Sequence, residues 1–230
     1  MIQHRIFGLA KMSKSRKFKL VVFDLDGVLV DGMGSWKEVH KALGTLEKSE
    51  IHGKLFFSGK ITFDQWAEMD VELWKGVEID KIRQILNRTK LMPGAKETIS
   101  TLKKFGFKTA IISGGLELLA ERVAKELDID YCIGNRLLEN SGKVCGVEQV
   151  VDFEGKGRIL ERIAKRFDVK CEECVAVGDY INDIPLFKKA GLSIAFNPKD
   201  KELEKYADVV IREKDLRKIL PYILEEEKKK

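Results

Sequence analysis

Two carboxylates separated by a single residue, Asp24 and Asp26, stand at the end of a short β-branched and aromatic run and are followed at once by Gly27. Charges this close repel each other unless a cation lies between them or one keeps its proton. Oxygen ligands for a hard ion such as Mg²⁺ are the economical reading, and a solvated Asp-x-Asp-Gly turn is the plainer one. A second acidic pair, Asp179 and Asp183, follows Gly178 after another apolar run, with Asn182 between them. Four positions apart, two carboxylates face one centre across a single helical turn. Ser113-Gly114-Gly115 closes a third apolar run and leads into an amphipathic stretch. A hydroxyl and glycine amides at such a junction suit an anion, although a serine N-cap would look the same. Lys156, in Gly155-Lys156-Gly157, is either one more surface lysine or a point charge that reaches a phosphate. Taken together, a carboxylate nucleophile, a metal, a hydroxyl, backbone amides and a lysine make a phosphoryl-transfer centre.

Residues scattered over the chain act together only if the fold collects them. Leu20 to Phe23, Lys108 to Ile112, Cys174 to Val177, Leu192 to Phe196 and Val209 to Ile211 read as short buried strands. Helical patterns at about 95–105, 116–127, 157–167, 184–190 and 214–224 alternate with them. Such alternation predicts an α/β fold with a doubly wound parallel sheet, in which ligands sit beyond the carboxyl ends of the strands. Three strands then end in chemistry, and Asp24/Asp26, Ser113 and Asp179/Asp183 converge on one edge. A strand at Tyr131 to Ile133 and a hairpin around Asn140-Ser141-Gly142-Lys143 complete the series.

Between the first two motifs lies an inserted helical segment, 33–90. Ser35 is the expected N-cap of a helix from Trp36 to about Leu43, and Thr62 of a second carrying Phe63, Trp66, Met69 and Leu73. Ile79, Ile82 and Leu86 continue the pattern in a third. Trp36, Phe56, Phe57, Phe63, Trp66 and Trp74 read as the core of this cap rather than as a binding platform. Glycine placement puts hinges at Gly32-Met33-Gly34 and Met92-Pro93-Gly94, so that the cap excludes water and chooses the substrate. The expected division is a basic leader at 1–18, a core at 19–32 and 91–230, and the cap.

At 230 residues the chain is long enough to bury a sizeable core. No apolar run approaches the length that spans a bilayer. The formal charge of +5 sits in the leader, since Arg5, Lys11, Lys14, Arg16, Lys17 and Lys19 meet no acid before residue 21 and leave the remainder at −1. That leader reads as a frayed tail, with Met12 as an alternative start, or as a basic arm for nucleic acid. It is not a secretory signal, because Ile6 to Ala10 is too short an apolar segment. Cys132, Cys145, Cys171 and Cys174 read as reduced thiols in a cytoplasmic protein. Cys171-Glu172-Glu173-Cys174 has the spacing of half a zinc site but lacks a second half.

Asp24-Leu25-Asp26-Gly27, Ser113-Gly114, Lys156 and Gly178-Asp179 with Asn182-Asp183 occur in the order of the four motifs of the haloacid dehalogenase-like (HAD) phosphatase superfamily, which this sequence resembles from residue 19 onward. Within it the chain is most similar to the phosphoserine phosphatase group, whose cap the insertion matches. The resemblance implies a Rossmann-like core with a C1-type cap and hydrolysis of a small phosphate monoester. It implies Asp24 as nucleophile and Asp26 as general acid and base. Mg²⁺ would be held by Asp24, the Asp26 backbone carbonyl and Asp179, with Asp183 in support. The phosphoryl group would be bound by Ser113, Gly114, Lys156 and Asn182. Two departures bear on the substrate. Gly27-Val28 stands where phosphoserine phosphatases have Ser-Thr, and Met33 and Glu68 stand where they have a glutamate for the substrate ammonium and an arginine for its carboxylate. Phe63 matches their cap phenylalanine. The expectation is a pocket less selective for an acidic substrate, with phosphoserine itself, or phosphoryl transfer to a sugar, as alternatives.

Overall fold

The structure is a computed structural model that describes residues 17–224. The readings made of positions 1–16, including the basic arm and the alternative start, lie outside it. In chain order the first elements are β1 (Leu20–Phe23), β2 (Val30–Asp31), α1 (Ser35–Leu43), α2 (Leu46–Phe57), α3 (Phe63–Glu72), α4 (Ile79–Leu86) and β3 (Lys90–Leu91). There follow α5 (Ala95–Lys104), β4 (Lys108–Leu116), α6 (Glu117–Leu127), β5 (Tyr131–Asn140), β6 (Lys143–Glu148) and α7 (Lys156–Arg166). The chain continues with β7 (Cys174–Gly178), α8 (Ile184–Phe187), β8 (Leu192–Phe196), α9 (Lys201–Glu204), β9 (Val209–Ile211) and α10 (Leu220–Leu224).

β1 is the centre of a seven-stranded sheet in the order β6-β5-β4-β1-β7-β8-β9. All neighbours are parallel except the β5–β6 hairpin at the edge. Its four residues are fully buried because alternate side chains serve two different cores. Val21 and Phe23 join a cluster with Ile99, Leu119, Val123 and Ile219 on one face, whereas Leu20 and Val22 join Ile159, Leu160, Ile163 and Phe187 on the other. Helices cover both faces, as the doubly wound reading requires. Leu20 faces both Lys108 and Cys174, and Phe23 faces both Ile111 and Val177, so the carboxyl ends of the three central strands are level.

The inserted helices α1–α4 lie between β2 and β3, which pair antiparallel and bring the two crossing segments together. Val39, Val71, Trp74, Ile79, Ile82 and Leu86 of the insertion belong to the same cluster as the sheet residues Val21 and Phe23. Residues 76–79 are also bonded to the hairpin, through Gly76 N to Val144 O (2.9 Å), Val144 N to Val77 O (2.9 Å) and Ile79 N to Gly142 O (2.8 Å). Thr62 caps α3 as expected, in a reciprocal capping box with Gln65. Inside the insertion Asp70 is buried but satisfied, accepting from Ser49 Oγ (3.1 Å) and His52 Nδ1 (2.6 Å) with His40 Nε2 at 3.2 Å.

Several expectations are corrected. Ser35 is not a cap: Gly34, at φ 99°, precedes the helix, and Ser35 is its first residue. Ser113-Gly114-Gly115 lies within β4 rather than at a helix start, because β4 shifts register against β5 and pairs again at Leu116 with Asn135. Helix α2 went unread in the sequence, since Leu46, Ile51, Leu55 and Phe56 form no single stripe and its buried positions are Ser49 and Gly53. The helix placed at 184–190 stops at Phe187, and the one at 214–224 is a 3-10 turn, Leu216–Ile219, running into α10. The cap aromatics divide into two groups. Trp36 and Trp74 pack together with ring centroids 5.3 Å apart, whereas Phe56, Phe57, Phe63 and Trp66 cluster with Phe153 of the core, leaving Phe57 exposed.

Candidate active site

Asp24 is the first residue past β1, and its amide donates to Val177 O (2.9 Å), which extends the β1–β7 ladder by one step. The site is built on that step. Oxygens of Asp24, Asp179 and Asp183 all lie within 4.8 Å of one another, and all three residues are buried. Lys156, the first residue of α7, is fully buried, with Nζ 2.7 Å from Asp24 Oδ1 and 2.6 Å from Asp183 Oδ1. Burial works against its charge, but Asp183 and Asp24 outweigh it and hold the amine above the ordinary lysine range. The other oxygen of Asp183 accepts from the amides of Asp179 (3.0 Å) and Tyr180 (3.2 Å) and so fixes the turn after β7. A side chain on Gly178 would overlap the Asp183 carboxyl, which is why that turn needs glycine. Burial, and then the charge of Asp24, pushes the Asp179 carboxyl upward against the pull of Lys199. Burial likewise raises Asp183, opposed by Lys156.

Lys199 joins the site although no motif in the sequence singles it out. Its amide donates to Asp179 O (2.8 Å) and its Nζ lies 2.6 Å from Asp179 Oδ2. A signal was present, because Lys199 stands three residues past the end of β8, on the same edge that the strand-end rule identified for β1, β4 and β7.

Asp26 is not one of the three clustered carboxylates, and Ser35 holds its side chain. Its Oδ1 accepts from Ser35 N (3.0 Å) and its Oδ2 from Ser35 Oγ (2.9 Å). Burial, and then the nearby charge of Asp24, pushes its carboxyl up to about 6, against the two bonds from Ser35 and the charge of Lys199. A carboxyl near neutrality can both give and take a proton.

Ser113 is buried, and its Oγ accepts from Gly115 N (2.9 Å). The carbonyl of Gly114 accepts from Trp36 Nε1 (3.0 Å) and Asn135 Nδ2 (3.0 Å), so the insertion and β5 both brace this end of β4. Asn182 faces Gly114, with its Nδ2 3.7 Å from a side chain built there, and its buried Oδ1 has no hydrogen-bond partner among the described residues. The pocket candidates are dispersed. Met33 is exposed just before α1, its amide donating to Glu38 Oε1 (3.1 Å). Phe63 is half-buried with its ring 5.9 Å from that of Phe153. Glu68 is on the exposed face of α3, and Asp70 is the acid this helix buries.

Asp24, Asp26, Asp179 and Asp183 set four carboxyl groups against the two ammonium groups of Lys156 and Lys199. Three of the four offer oxygen to one centre, with no histidine or cysteine among them. That donor set suits a hard divalent cation, which also supplies the missing positive charge. All four cysteines are free and lie elsewhere. No helix among the described residues is long and apolar enough to cross a membrane.

The model of the haloacid dehalogenase-like hydrolases matches residues 18–191. The chain is 40% identical over 210 residues to the phosphoserine phosphatase of Methanocaldococcus jannaschii, covering 90% of this chain and 99% of that one. It is 36% identical over 204 residues to the phosphoserine phosphatase of Archaeoglobus fulgidus, covering 88% of this chain and 59% of that longer one. Among solved structures it is similar to a substrate-bound phosphoserine phosphatase complex, at 39% identity and a TM-score of 0.81, covering 90% of this chain and 99% of that one. A phospho-aspartyl intermediate analogue of phosphoserine phosphatase matches at 40% identity and a TM-score of 0.80 with the same coverage. These relatives lend no support to a nucleic-acid role for the leader. With its sheet, its insertion and its carboxylates arranged in this way, the chain belongs to the haloacid dehalogenase-like hydrolases and is a phosphoric monoester hydrolase of that family.

Proposed function

We propose that the chain hydrolyses a small phosphate monoester by way of a phosphorylated Asp24, with Mg²⁺ held by Asp24, the backbone carbonyl of Asp26 and Asp179, and supported by Asp183. The observation that carries this reading is the buried Lys156 between Asp24 and Asp183. It orients the Asp24 carboxylate and puts a fixed positive charge beside the atom that attacks. A carboxylate oxygen of Asp24 bonds to phosphorus as the ester oxygen departs, and Asp26 gives that oxygen its proton. Asp26 then takes a proton from the water that attacks the aspartyl-phosphate, which releases inorganic phosphate and restores Asp24. Ser113, the Gly114 amide, Lys156 and Asn182 hold the phosphoryl oxygens meanwhile. When bound, the divalent ion neutralises charge between the Asp24 anion and a dianionic ester. The insertion 33–90 serves as the cap over this centre.

The relatives named above are phosphoserine phosphatases, and a phospho-aspartyl intermediate analogue of a phosphoserine phosphatase shares this fold. Phosphoserine is therefore the first substrate to try. Met33 and Glu68 offer this chain neither a carboxylate at the cap entrance nor a cation on α3, so selectivity for an amino acid should be relaxed. The test is phosphate release from phosphoserine, phosphoethanolamine, glycerol phosphate and 4-nitrophenyl phosphate, with Asp24→Asn and EDTA as controls. Metal-dependent release by the wild type alone supports the mechanism, and comparable rates on phosphoserine and phosphoethanolamine support the relaxed pocket. Full activity in Asp24→Asn would overturn the mechanism.

A further inference from the structure

We propose that Ser35 is the positioning residue for Asp26, so that seating of the first cap helix and aiming of the proton donor are one event. The inference rests on the reading of Asp26 as general acid. Ser35 is fully buried and makes three bonds at once: N to Asp26 Oδ1 (3.0 Å), Oγ to Asp26 Oδ2 (2.9 Å), and Oγ accepting from Leu116 N (3.0 Å). Gly34 precedes α1 and has no side chain with which to cap it, so the first amides of this nine-residue helix need an outside acceptor. The Asp26 carboxylate is that acceptor for the first of them, Ser35 N. The carboxyl that gives and takes the proton is thus held by both its oxygens at the amino end of a cap helix, where the helix dipole favours its ionised form.

The third bond joins the pair to Leu116 at the end of β4, just past Ser113 and Gly114. Gly115 makes the approach possible, since a side chain there would overlap both Asp26 Oδ2 and Ser35 Oγ. Cap helix, proton donor and the end of β4 meet at one serine hydroxyl. If α1 is displaced, Asp26 loses both its partners and the rotamer they impose.

Such a role differs from plain stabilisation in its dependence on the leaving group. An alkoxide leaves only with a proton, whereas 4-nitrophenolate leaves as a stable anion. The experiment compares kcat/KM, which reports steps through the first P–O cleavage, for glycerol phosphate and 4-nitrophenyl phosphate in wild type, Ser35→Ala, Gly115→Ala and Asp26→Asn. The readout is the ratio of the two esters in one preparation, so a partly folded variant does not distort it. Ser35→Ala and Gly115→Ala should each lower the alkyl-to-aryl ratio on the order of tenfold or more, and Asp26→Asn at least as much. Equal losses on both esters in Ser35→Ala, or an unchanged ratio there while Asp26→Asn collapses it, overturn the role of Ser35 alone. An unchanged ratio in Asp26→Asn overturns the assignment of Asp26 and the role of Ser35 with it.

Discussion

Lys199 Nζ lies 2.6 Å from Asp179 Oδ2 while the Lys199 amide donates to Asp179 O, so one residue past β8 holds both the carboxylate and the backbone of a member of the acid cluster. Asp179 is 1% exposed, whereas the Lys199 side chain is 47% exposed, which means that the amine reaches in from the rim and has solvent behind it. An ammonium in this place competes with a divalent ion for the same oxygen. Lys199→Met should therefore lower the melting temperature of the metal-free protein and tighten Mg²⁺ or Mn²⁺ binding, on the order of tenfold by titration calorimetry. Weaker binding in the variant would show that the amine assists the metal instead.

The raised carboxyls give the metal-free protein an unusual pH dependence. Asp26 rises from 3.8 to about 6 on folding, so between those values the native state holds more protons than the unfolded state. Stability then falls as pH rises through that window. Asp183 and Asp179 act in the same direction. Paired carboxyls such as Asp130 are lowered instead, and their contribution is lost below their ordinary range. In EDTA the melting temperature should peak on the mildly acidic side and decline toward neutral pH. Saturating Mg²⁺ should remove that decline, because it binds the ionised cluster. A melting temperature in EDTA that climbs steadily from pH 5 to 8 would contradict the description of the cluster.

Lys156 is the group whose removal should do most harm. It is fully buried between Asp24 and Asp183, and both carboxylates lose their partner when it is replaced. Breaking a buried ion pair from one side costs roughly 3–5 kcal/mol. Lys156→Met should destabilise the metal-free protein by about that amount in urea, more than Lys199→Met, whose amine is half in solvent. On the proposed mechanism turnover should be lost as well, since Lys156 is there the fixed cation beside Asp24. An equal or smaller loss of stability than in Lys199→Met would mean that the Asp24 and Asp183 carboxyls relax by taking up protons.

The sequence made the strand ends legible because burial on both faces writes short apolar runs, and Leu20 to Phe23 and Cys174 to Val177 are such runs. The residues that follow them could then be placed on one edge without any side-chain geometry. What stayed hidden depends on contacts between distant segments. Ser35 looks like a cap in sequence, and only the approach of α1 to residue 26 turns its hydroxyl toward Asp26. Lys199 carries no motif around it, and its role follows from the register of β7 with β8. The bonds from 76–79 to the hairpin are invisible for the same reason, so hinges at Gly32-Met33-Gly34 and Met92-Pro93-Gly94 leave a third attachment of the cap unaccounted for. Helix α2 escaped because its inward face is built of Ser49 and Gly53.

Gly27 separates the family resemblance from the physics of this chain. Phosphoserine phosphatases have serine at this position, which would make Gly27→Ser a return to the familiar pattern. Here Gly27 has φ 93°, a conformation that costs a residue with a side chain about 1–3 kcal/mol. A Cβ at this position would also overlap Asp179 Oδ2 and come within 2.6 Å of Lys199 Nζ. The substitution should therefore displace the Asp179 carboxylate and weaken divalent-ion binding on the order of tenfold or more by calorimetry, with a matching loss of activity at limiting metal. Gly27→Ala should do the same, since the Cβ rather than the hydroxyl is the cause. If serine binds metal as tightly as glycine while alanine does not, the hydroxyl has become a ligand or a bridge. If both are tolerated, residues 26–30 re-seat, and the closeness of Gly27 to Asp179 is not a constraint on this site.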